Sequence, residues 1–303
     1  MALQRNAAVL ALAFLGAACG KSVGGVAPVG GDEPGAVETE RFVRRLHLDL
    51  TGRPASDQYL ADAVLELAAA SGGAGARAAL ADRLIDSEEF AQTFTDELAN
   101  RVFGGEDPDD RYALLCGVTR DDDPRCASCG PPPAGDACAG CDCAPLVAID
   151  ADRQALLDAS ADLAGGSATT SEVERRFAGS SALAGFSAPE ALADQLFQLF
   201  LGRPVEADEQ TNAAAMIVGA LIPGSPAGLL FHRHGSDYQD LLDILFESEV
   251  YREAAVSAVF ARYLGRSARL AEMAHFSAEL DAAAPDDRPV IRAVVSSQEY
   301  FEQ

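Results

Sequence analysis

Apolar residues recur along this chain at the spacing of one helical turn. Phe42, Leu46 and Leu50 lie four residues apart, which places all three on one face of an α-helix. Leu192 and Leu196 begin a second face of the same kind. Sustained alternation of apolar and polar residues, which is typical of half-buried strands, is scarce. The pattern therefore predicts an all-α fold.

Three short stretches combine an aliphatic residue, a glycine and an arginine just before a turn. They read DLTGRPAS at 49–56, LFLGRPVEADE at 199–209 and RYLGRSARLAE at 262–272. Glycine suits the left-handed conformation just past a helix end, and a following proline cannot continue the helix. We expect the arginines to bind helix-end carbonyls or a neighbouring acid. The predicted structural turns are Gly52 with Arg53, Gly202 with Arg203, and Gly265 with Arg266.

A serine followed three residues later by an aromatic residue marks a helix start downstream of each turn. Ser87, Ser248 and Ser297 have this form, and serine is a favoured N-cap. Ser87 lies seventeen residues before Gly104, and Ser248 lies seventeen residues before Gly265. The recurrence predicts repeated helical units, each made of a helix, a Gly-Arg turn and further helices, with an irregular disulfide-rich loop inserted among them.

The composition of successive segments predicts five parts of the chain. A Gly-rich stretch separates the first residues from the helical pattern, and a cysteine-rich acidic stretch interrupts that pattern. The parts are a signal peptide (1–18), a flexible tether (19–35), an N-terminal helical unit (36–104), the Cys-rich acidic loop (105–146) and C-terminal helical repeats (147–303).

The first eighteen residues resemble a bacterial lipoprotein signal. Arg5 precedes a run of small and apolar residues from Ala7 to Ala18, which is too short to span a bilayer. Cys19 follows directly, and the resemblance makes its thiol the site of lipidation. We therefore expect a lipid-anchored, extracytoplasmic protein of the bacterial cell envelope, at the outer membrane. Ordinary secretion that leaves Cys19 free is the alternative.

The charge balance excludes one class of partner. The chain has 47 acidic and 23 basic residues, for a formal net charge of −24 at pH 7. Such a surface repels nucleic acid and anionic lipid headgroups. We expect no nucleic acid partner, and attachment to a membrane through the lipid anchor alone.

Six cysteines fall within 28 residues of the predicted loop. In an exported protein, an even set of thiols in a Gly- and Pro-rich segment is normally paired, because such a segment builds no core of its own. The pairing stays open, since six cysteines allow fifteen connectivities. We expect three disulfides among Cys116, Cys126, Cys129, Cys138, Cys141 and Cys143.

A metal site is the alternative for this segment. Two C-x-x-C pairs begin at Cys126 and Cys138 and have the spacing of zinc ligands. Haem attachment needs a histidine after the second cysteine of such a pair, and Gly130 and Asp142 occupy these places. We expect neither a metal nor a cofactor.

Part of the N-terminal helical unit resembles a known family. RRLHLDLTGRPAS, followed by LADRLIDSEEFAQTFTDELANRVF, is similar to the planctomycete-type cytochrome-associated domain of unknown function, over about Arg41 to Phe103. The later units resemble a repeat of unknown function in bacterial surface proteins, which also has leucine-glycine-arginine turns. The first resemblance implies a place beside redox proteins, and neither implies an activity.

We expect a structural or interaction module of the cell envelope, with a protein partner of unknown identity. The alternative is an accessory component of a periplasmic or surface redox or catabolic assembly. Catalytic activity is the less favoured interpretation, because no spacing of nucleophile, base and orienting group stands out in the sequence.

Overall fold

Left-handed glycines and capping serines set the helix boundaries. Gly52, Gly202 and Gly265 have φ of 66°, 63° and 62°, where an L side chain costs about 1–2 kcal/mol. The hydroxyls of Ser87 and Ser248 accept hydrogen bonds of 3.2 and 3.0 Å from the backbone N–H three residues later. These bonds satisfy a donor that the first helical turn leaves free. The prediction of an all-α fold with repeated helical units is confirmed.

The computed structural model describes residues 35–132, 138–222, 225–280 and 285–303, which belong to one compact unit. The predicted signal peptide, Cys19 and all but the last residue of the predicted tether lie outside the described residues. None of the described helices has the length and apolar character that crossing a membrane requires.

The helices fall into four consecutive groups. The first group is α1 (Ala36–Thr51), α2 (Asp57–Ala69), α3 (Ala74–Ile85) and α4 (Glu88–Phe103). The second is α5 (Pro108–Asp122), a 3-10 turn (Pro124–Cys126), α6 (Ala144–Leu157), α7 (Ala159–Ala164), α8 (Thr170–Ala178) and α9 (Ser181–Ala184). The third is α10 (Pro189–Leu201), α11 (Ala207–Val218), α12 (Tyr238–Phe246) and α13 (Glu249–Leu264). The last is α14 (Leu270–Glu279), α15 (Arg288–Val295) and α16 (Gln298–Glu302).

The repeat has four helices. In α1–α4 and again in α10–α13, the first helix ends at a Gly-Arg turn, two helices follow, and a capping serine opens the fourth. Helix α13 also serves as the first helix of a third copy, because Gly265 ends it and Ser297 opens α16. The described repeats are therefore continuous from α10 to the last helix.

The first hydrophobic core joins the two ends of the described chain. The rings of Phe42 and Phe301 lie 5.2 Å apart, and the Tyr300 hydroxyl donates to Asp49 Oδ2 at 2.8 Å. Arg45 donates to the carbonyl of Tyr263 at 2.8 Å, which attaches α1 to the end of α13. Helices α1–α3 thus pack with α15, α16 and most of α13.

The second hydrophobic core lies among α5–α12. Leu192, Leu196 and Phe197 on α10 are fully buried in it, and each contributes about 1.5–3 kcal/mol by leaving water. Phe200 packs on Phe246 with their ring centroids 5.1 Å apart. This core contains the predicted α10 face and residues of helices α5–α9, which lie between the first two copies of the repeat.

Helices α4 and α13 pass between the two cores in opposite directions. Phe90 at the start of α4 is buried in the first core, whereas Val102 and Phe103 at its end are buried in the second. Tyr251 at the start of α13 is buried in the second core, and Phe260 near its end in the first. These two 16-residue helices, which we call the crossing helices, connect the halves of the molecule.

A short β-hairpin interrupts the helical pattern between α11 and α12. Its antiparallel strands, β1 (Gly228–Leu230) and β2 (Arg233–Gly235), pair Gly228 with Gly235. A Cβ at Gly228 would lie 2.5 Å from the carbonyl oxygen of Asn212, so glycine is needed for the hairpin to pack on α11. The helical spacing does not predict this element.

The segment predicted as an irregular loop over 105–146 begins with a regular helix. The carboxylate of Asp107 caps α5, and Tyr112 on that helix is 1% exposed within the second core. The Tyr112 hydroxyl donates to Asp152 Oδ2 on α6 at 2.9 Å. Because burial of Tyr112 fixes α5 to the scaffold, the irregular part is shorter than expected and begins near residue 123.

The left-handed glycines allow a test of the helix ends. Gly202→Ala and Gly265→Ala should each lower the free energy of unfolding by about 1–2 kcal/mol, because a Cβ there strains the backbone. A Cβ at either position would meet no atom within 4 Å, so the cost comes from φ alone. Gly75→Ala inside α3 is the control and should be neutral or stabilising. Equal urea midpoints for all three variants would contradict the assignment of these turns.

Candidate functional site

The six clustered cysteines form three disulfides. The bonds join Cys116 to Cys138, Cys126 to Cys143 and Cys129 to Cys141, with Cα atoms 5.1 to 5.4 Å apart. The Cys129–Cys141 bond lies within the sequence span of Cys126–Cys143, and Cys138 of the first bond falls inside both of these spans. The sequence left the pairing open, and the structure selects one of its fifteen possibilities.

The stapled segment is anchored at both ends by helices. Cys116 lies on α5 and is fully buried, and Cys143 is the N-cap residue of α6. Buried Arg120 on α5 donates to the carbonyls of Gly130 and Ala139 at 2.7 and 2.8 Å, so the guanidinium satisfies carbonyls that no strand or helix pairs. The small core of the segment consists of disulfide cysteines and Leu146, and the disulfides and this arginine hold it together.

The sulfur atoms come close enough to suggest a metal site. The Sγ atoms of Cys126, Cys129 and Cys143 all lie within 4.8 Å of one another. Each of these sulfurs is in a disulfide, however, and thiolates are the species that bind zinc. In this oxidised state the segment acts as a structural staple.

Two of the three Gly-Arg turns are held by an ion pair of one design. Arg203 donates through both Nη atoms to Glu209, at 2.7 and 2.6 Å, and Arg266 donates to Glu272 at 2.8 and 2.9 Å. Arg266 also donates to Glu299 on α16, at 2.5 and 2.7 Å. The hydrogen bonds from Arg266 hold the pKa of Glu272 down, at about 2. These arginines stabilise the turns.

The first Gly-Arg turn differs from the other two. The residue six positions after Arg53, where Glu209 and Glu272 stand in the other copies, is Tyr59. Arg53 is exposed, and within the described ranges no carboxylate pairs with it. The backbone carbonyl of Arg53 instead accepts a hydrogen bond of 2.8 Å from Nδ1 of His47, near the end of α1.

A cavity of about 500 Å³ lies where the crossing helices pass between the cores. This is the size of a pocket for a small molecule. Its walls come from α4, α10, α13 and the start of α15, with Leu50 of α1 and Glu174 of α8, and we call it the crossing cavity. The apolar part of its lining includes Phe90, Phe94, Leu98, Phe200, Val259 and Ile291.

Two ion pairs line the crossing cavity. Arg101 on α4 donates to Glu174 Oε1 on α8 at 2.7 Å, and the Tyr251 hydroxyl donates to Glu174 Oε2 at 2.7 Å. Arg262 on α13 pairs with Glu97 on α4. Both arginines are therefore neutralised by a carboxylate.

Asp287 lines the same cavity and lacks such a partner. It precedes α15, and its Oδ1 is buried without a hydrogen-bond partner among the described residues. Burial, together with the nearby charges of Glu174 and Asp286, raises the pKa of Asp287 to about 7, against a hydrogen bond from Thr170 that lowers it. A carboxyl group with a pKa near neutrality in a pocket is a candidate for binding or proton transfer.

The sequence analysis did not predict the crossing cavity, although four of its lining residues recur at matching positions in two segments. Arg101 and Arg262 each lie fourteen residues after a capping serine, and Phe90 and Tyr251 each lie three residues after one. Comparison of the two serine-to-glycine segments would have found these four positions. Asp287 has no counterpart in that comparison, because it reaches the site from a separate segment.

Oxidation of the stapled segment can be tested directly. Thiol-reactive mass tagging of the chain carrying Cys19→Ser should give no tagged cysteine without reductant and six with it. Peptide mapping without reductant should recover the three pairs described above. Free thiols together with stoichiometric zinc, or another set of pairs, would contradict the disulfide assignment.

The raised pKa of Asp287 predicts a pH-dependent cost to stability. The pKa of an Asp in an unfolded chain is about 3.9. Between this pH and pH 7 the folded state therefore holds a proton that the unfolded state has released. Stability from this group therefore falls as the pH rises through that window and stays low above it. Asp287→Asn should remove the fall and exceed the wild type at pH 8 by on the order of 2–4 kcal/mol.

Urea unfolding at pH 4 and pH 8 measures this difference. The exposed acid Glu253 supplies the control, since Glu253→Gln removes one charge from α13 outside the cavity lining. A gap between Asp287→Asn and wild type that does not widen with pH would show that the carboxyl group is well solvated.

No protein-family model, curated protein or solved structure matches this chain. The resemblances seen over Arg41–Phe103 and in the later repeats therefore stay predictions.

Proposed function

We propose that this chain is a lipid-anchored, extracytoplasmic interaction module of the bacterial cell envelope, held at the outer membrane and bound to a protein partner. The observation that carries the proposal is the set of three disulfides in one short segment. Such a set persists in an oxidising compartment and is rare in the reducing cytosol. It therefore supports export, to which the N-terminal residues also point.

The lipid anchor is supported by the order of residues at the start of the chain. Ala17 and Ala18 precede Cys19, as small residues precede the lipidated cysteine in the signals that this segment resembles. The Gly-rich stretch that follows would separate the helical unit from the membrane. Because the protein carries a net charge of −24, anionic headgroups would not hold it, and an acyl chain would.

An interaction role is supported by how the conspicuous polar groups are used. The arginines of the second and third turns hold helix ends, and the cysteines hold the insertion. Because these residues stabilise the fold, they build a rigid scaffold with an acidic surface. Such a scaffold suits the binding of a partner protein at that surface. The crossing cavity adds an internal site to that scaffold.

An accessory role in a redox or catabolic assembly is the second candidate. It is favoured by the short distances among the sulfurs of Cys126, Cys129 and Cys143, which could gather a metal if they were reduced. A stoichiometric metal in protein purified from the envelope would place this candidate first. A protein free of metal, with three disulfides, would favour the interaction module.

The anchor is tested by the substitution Cys19→Ser. The wild type should sediment with membranes and stay there through a carbonate wash, while the variant should appear in the soluble extracytoplasmic fraction. Intact mass should show acyl chains on the wild type alone. A variant that still fractionates with membranes, together with an unmodified wild-type mass, would contradict the anchor and leave ordinary secretion as the interpretation.

A further inference from the structure

We propose that the crossing cavity binds a small molecule that carries a protonated amine on an apolar body, with the amine beside Asp287. This site is additional to the proposed interaction with a protein partner and does not depend on the lipid anchor. Its chemistry follows from the size of the cavity, its apolar walls and the balance of charge along its lining.

The walls fit an apolar body. Ligand pockets are mostly apolar with a few polar groups, and a volume of about 500 Å³ exceeds the space that a few waters would fill. Aromatic rings face the cavity from α4 and α10, where Phe94 and Phe200 stand. Small residues face it from α13, where Ala254, Ala255 and Ala258 leave the space open. An apolar group placed there would gain about 25 cal/mol for each Å² removed from water.

The sign of the ligand charge follows from the pairing of the lining residues. Arg101 is paired with Glu174, and Arg262 is paired with Glu97. Asp287 is the acid that remains, because neighbouring Arg288 is paired with Asp286 at 2.7 Å. An anionic ligand would have to displace a carboxylate from an arginine, whereas a cation would meet the carboxyl group of Asp287, which no arginine pairs with among the described residues. The lining therefore selects a cation.

The type of cation follows from the number of carboxylates within reach. Metal ions need several oxygen, nitrogen or sulfur ligands. The carboxylates of Glu174 and Glu97 are already bound by arginine. Within the described residues, the cysteine sulfurs are the one group of three or more metal-ligating side chains close enough to hold an ion. A single carboxylate that no arginine neutralises, beside apolar walls, suits an ammonium group, which one charge-assisted hydrogen bond can hold.

The exposure of the lining side chains indicates where a ligand would enter the cavity. The side chains of Arg262 and Glu97 are 43% and 47% exposed, and Ala258 beside them is exposed too, so this pair marks the mouth. Tyr251 is buried and Asp287 is half-buried. A ligand that enters between the crossing helices would therefore bring its amine inward and keep its apolar body against α4 and α13.

Calorimetry with three probes of equal length tests the proposal. The full chain carrying Cys19→Ser is titrated at pH 8 with n-octylamine, n-octanol and octanoate; the substitution keeps acyl chains out of the sample. The amine should bind with a stoichiometry of one. The alcohol should bind at least tenfold more weakly, because it lacks the charge, and octanoate should show no binding.

Matched variants identify the group that recognises the amine. Asp287→Asn should weaken octylamine binding at least tenfold and leave octanol binding unchanged. Glu253→Gln, which removes an exposed acid on α13 outside the lining, should leave all three probes unchanged. Ala258→Trp should block the mouth and abolish binding of both octylamine and octanol. Circular dichroism confirms that each variant is folded.

Three results would overturn the proposal. Tighter binding of octanoate than of octylamine would show that the arginines choose the ligand. Equal binding of octylamine to Asp287→Asn and wild type would remove Asp287 from recognition. Absence of saturable binding by every probe would show that the crossing cavity is no binding site. Because the samples lack the lipid, none of these results depends on the fate of the proposed anchor.

Discussion

The fold depends on two helices, each of which contributes buried residues to both hydrophobic cores. Helix α4 begins in the first core and ends in the second, and α13 does the reverse. Neither helix can move without exposing apolar residues at both of its ends, each of which is stabilised by burial. The cap at Ser87 or Ser248 and the left-handed glycine at Gly104 or Gly265 fix the helix length, so the ends reach the two cores in register.

The same crossing explains why polar groups gather in the interior. The crossing cavity lies at this boundary, and charged side chains from α4, α8 and α13 face it beside its apolar walls. A low effective dielectric makes their pairing strong and makes an unpaired carboxylate costly. Asp287 bears that cost, as its raised pKa shows. A residue that destabilises the fold in this way is more easily explained by what it binds than by what it supports.

The disulfide-linked segment between α5 and α6 is held in place by other interactions. The stretch 123–143 is rich in glycine, proline and acids and has few apolar side chains to bury. Disulfides and the hydrogen bonds of Arg120 hold its described residues, 123–132 and 138–143, in place. Helices α5 and α6 on either side are fixed to the second core through Tyr112 and Leu156. The described part of this segment is therefore fixed to the scaffold, and Asp142 within it is exposed.

The sequence alone determined what short-range physics controls. Serine caps, left-handed glycines and the four-residue apolar spacing act within one or two turns, so the helices that begin at Ser87 and Ser248 and end at Gly104 and Gly265 could be predicted. An even set of cysteines in a segment without a core predicted disulfides as a class. Only the tertiary structure decided which cysteines pair, that the last helix packs on the first, and that Asp287 and Glu174 line one cavity. These features join residues far apart in the chain, and their geometry depends on how whole helices pack, which no local pattern records.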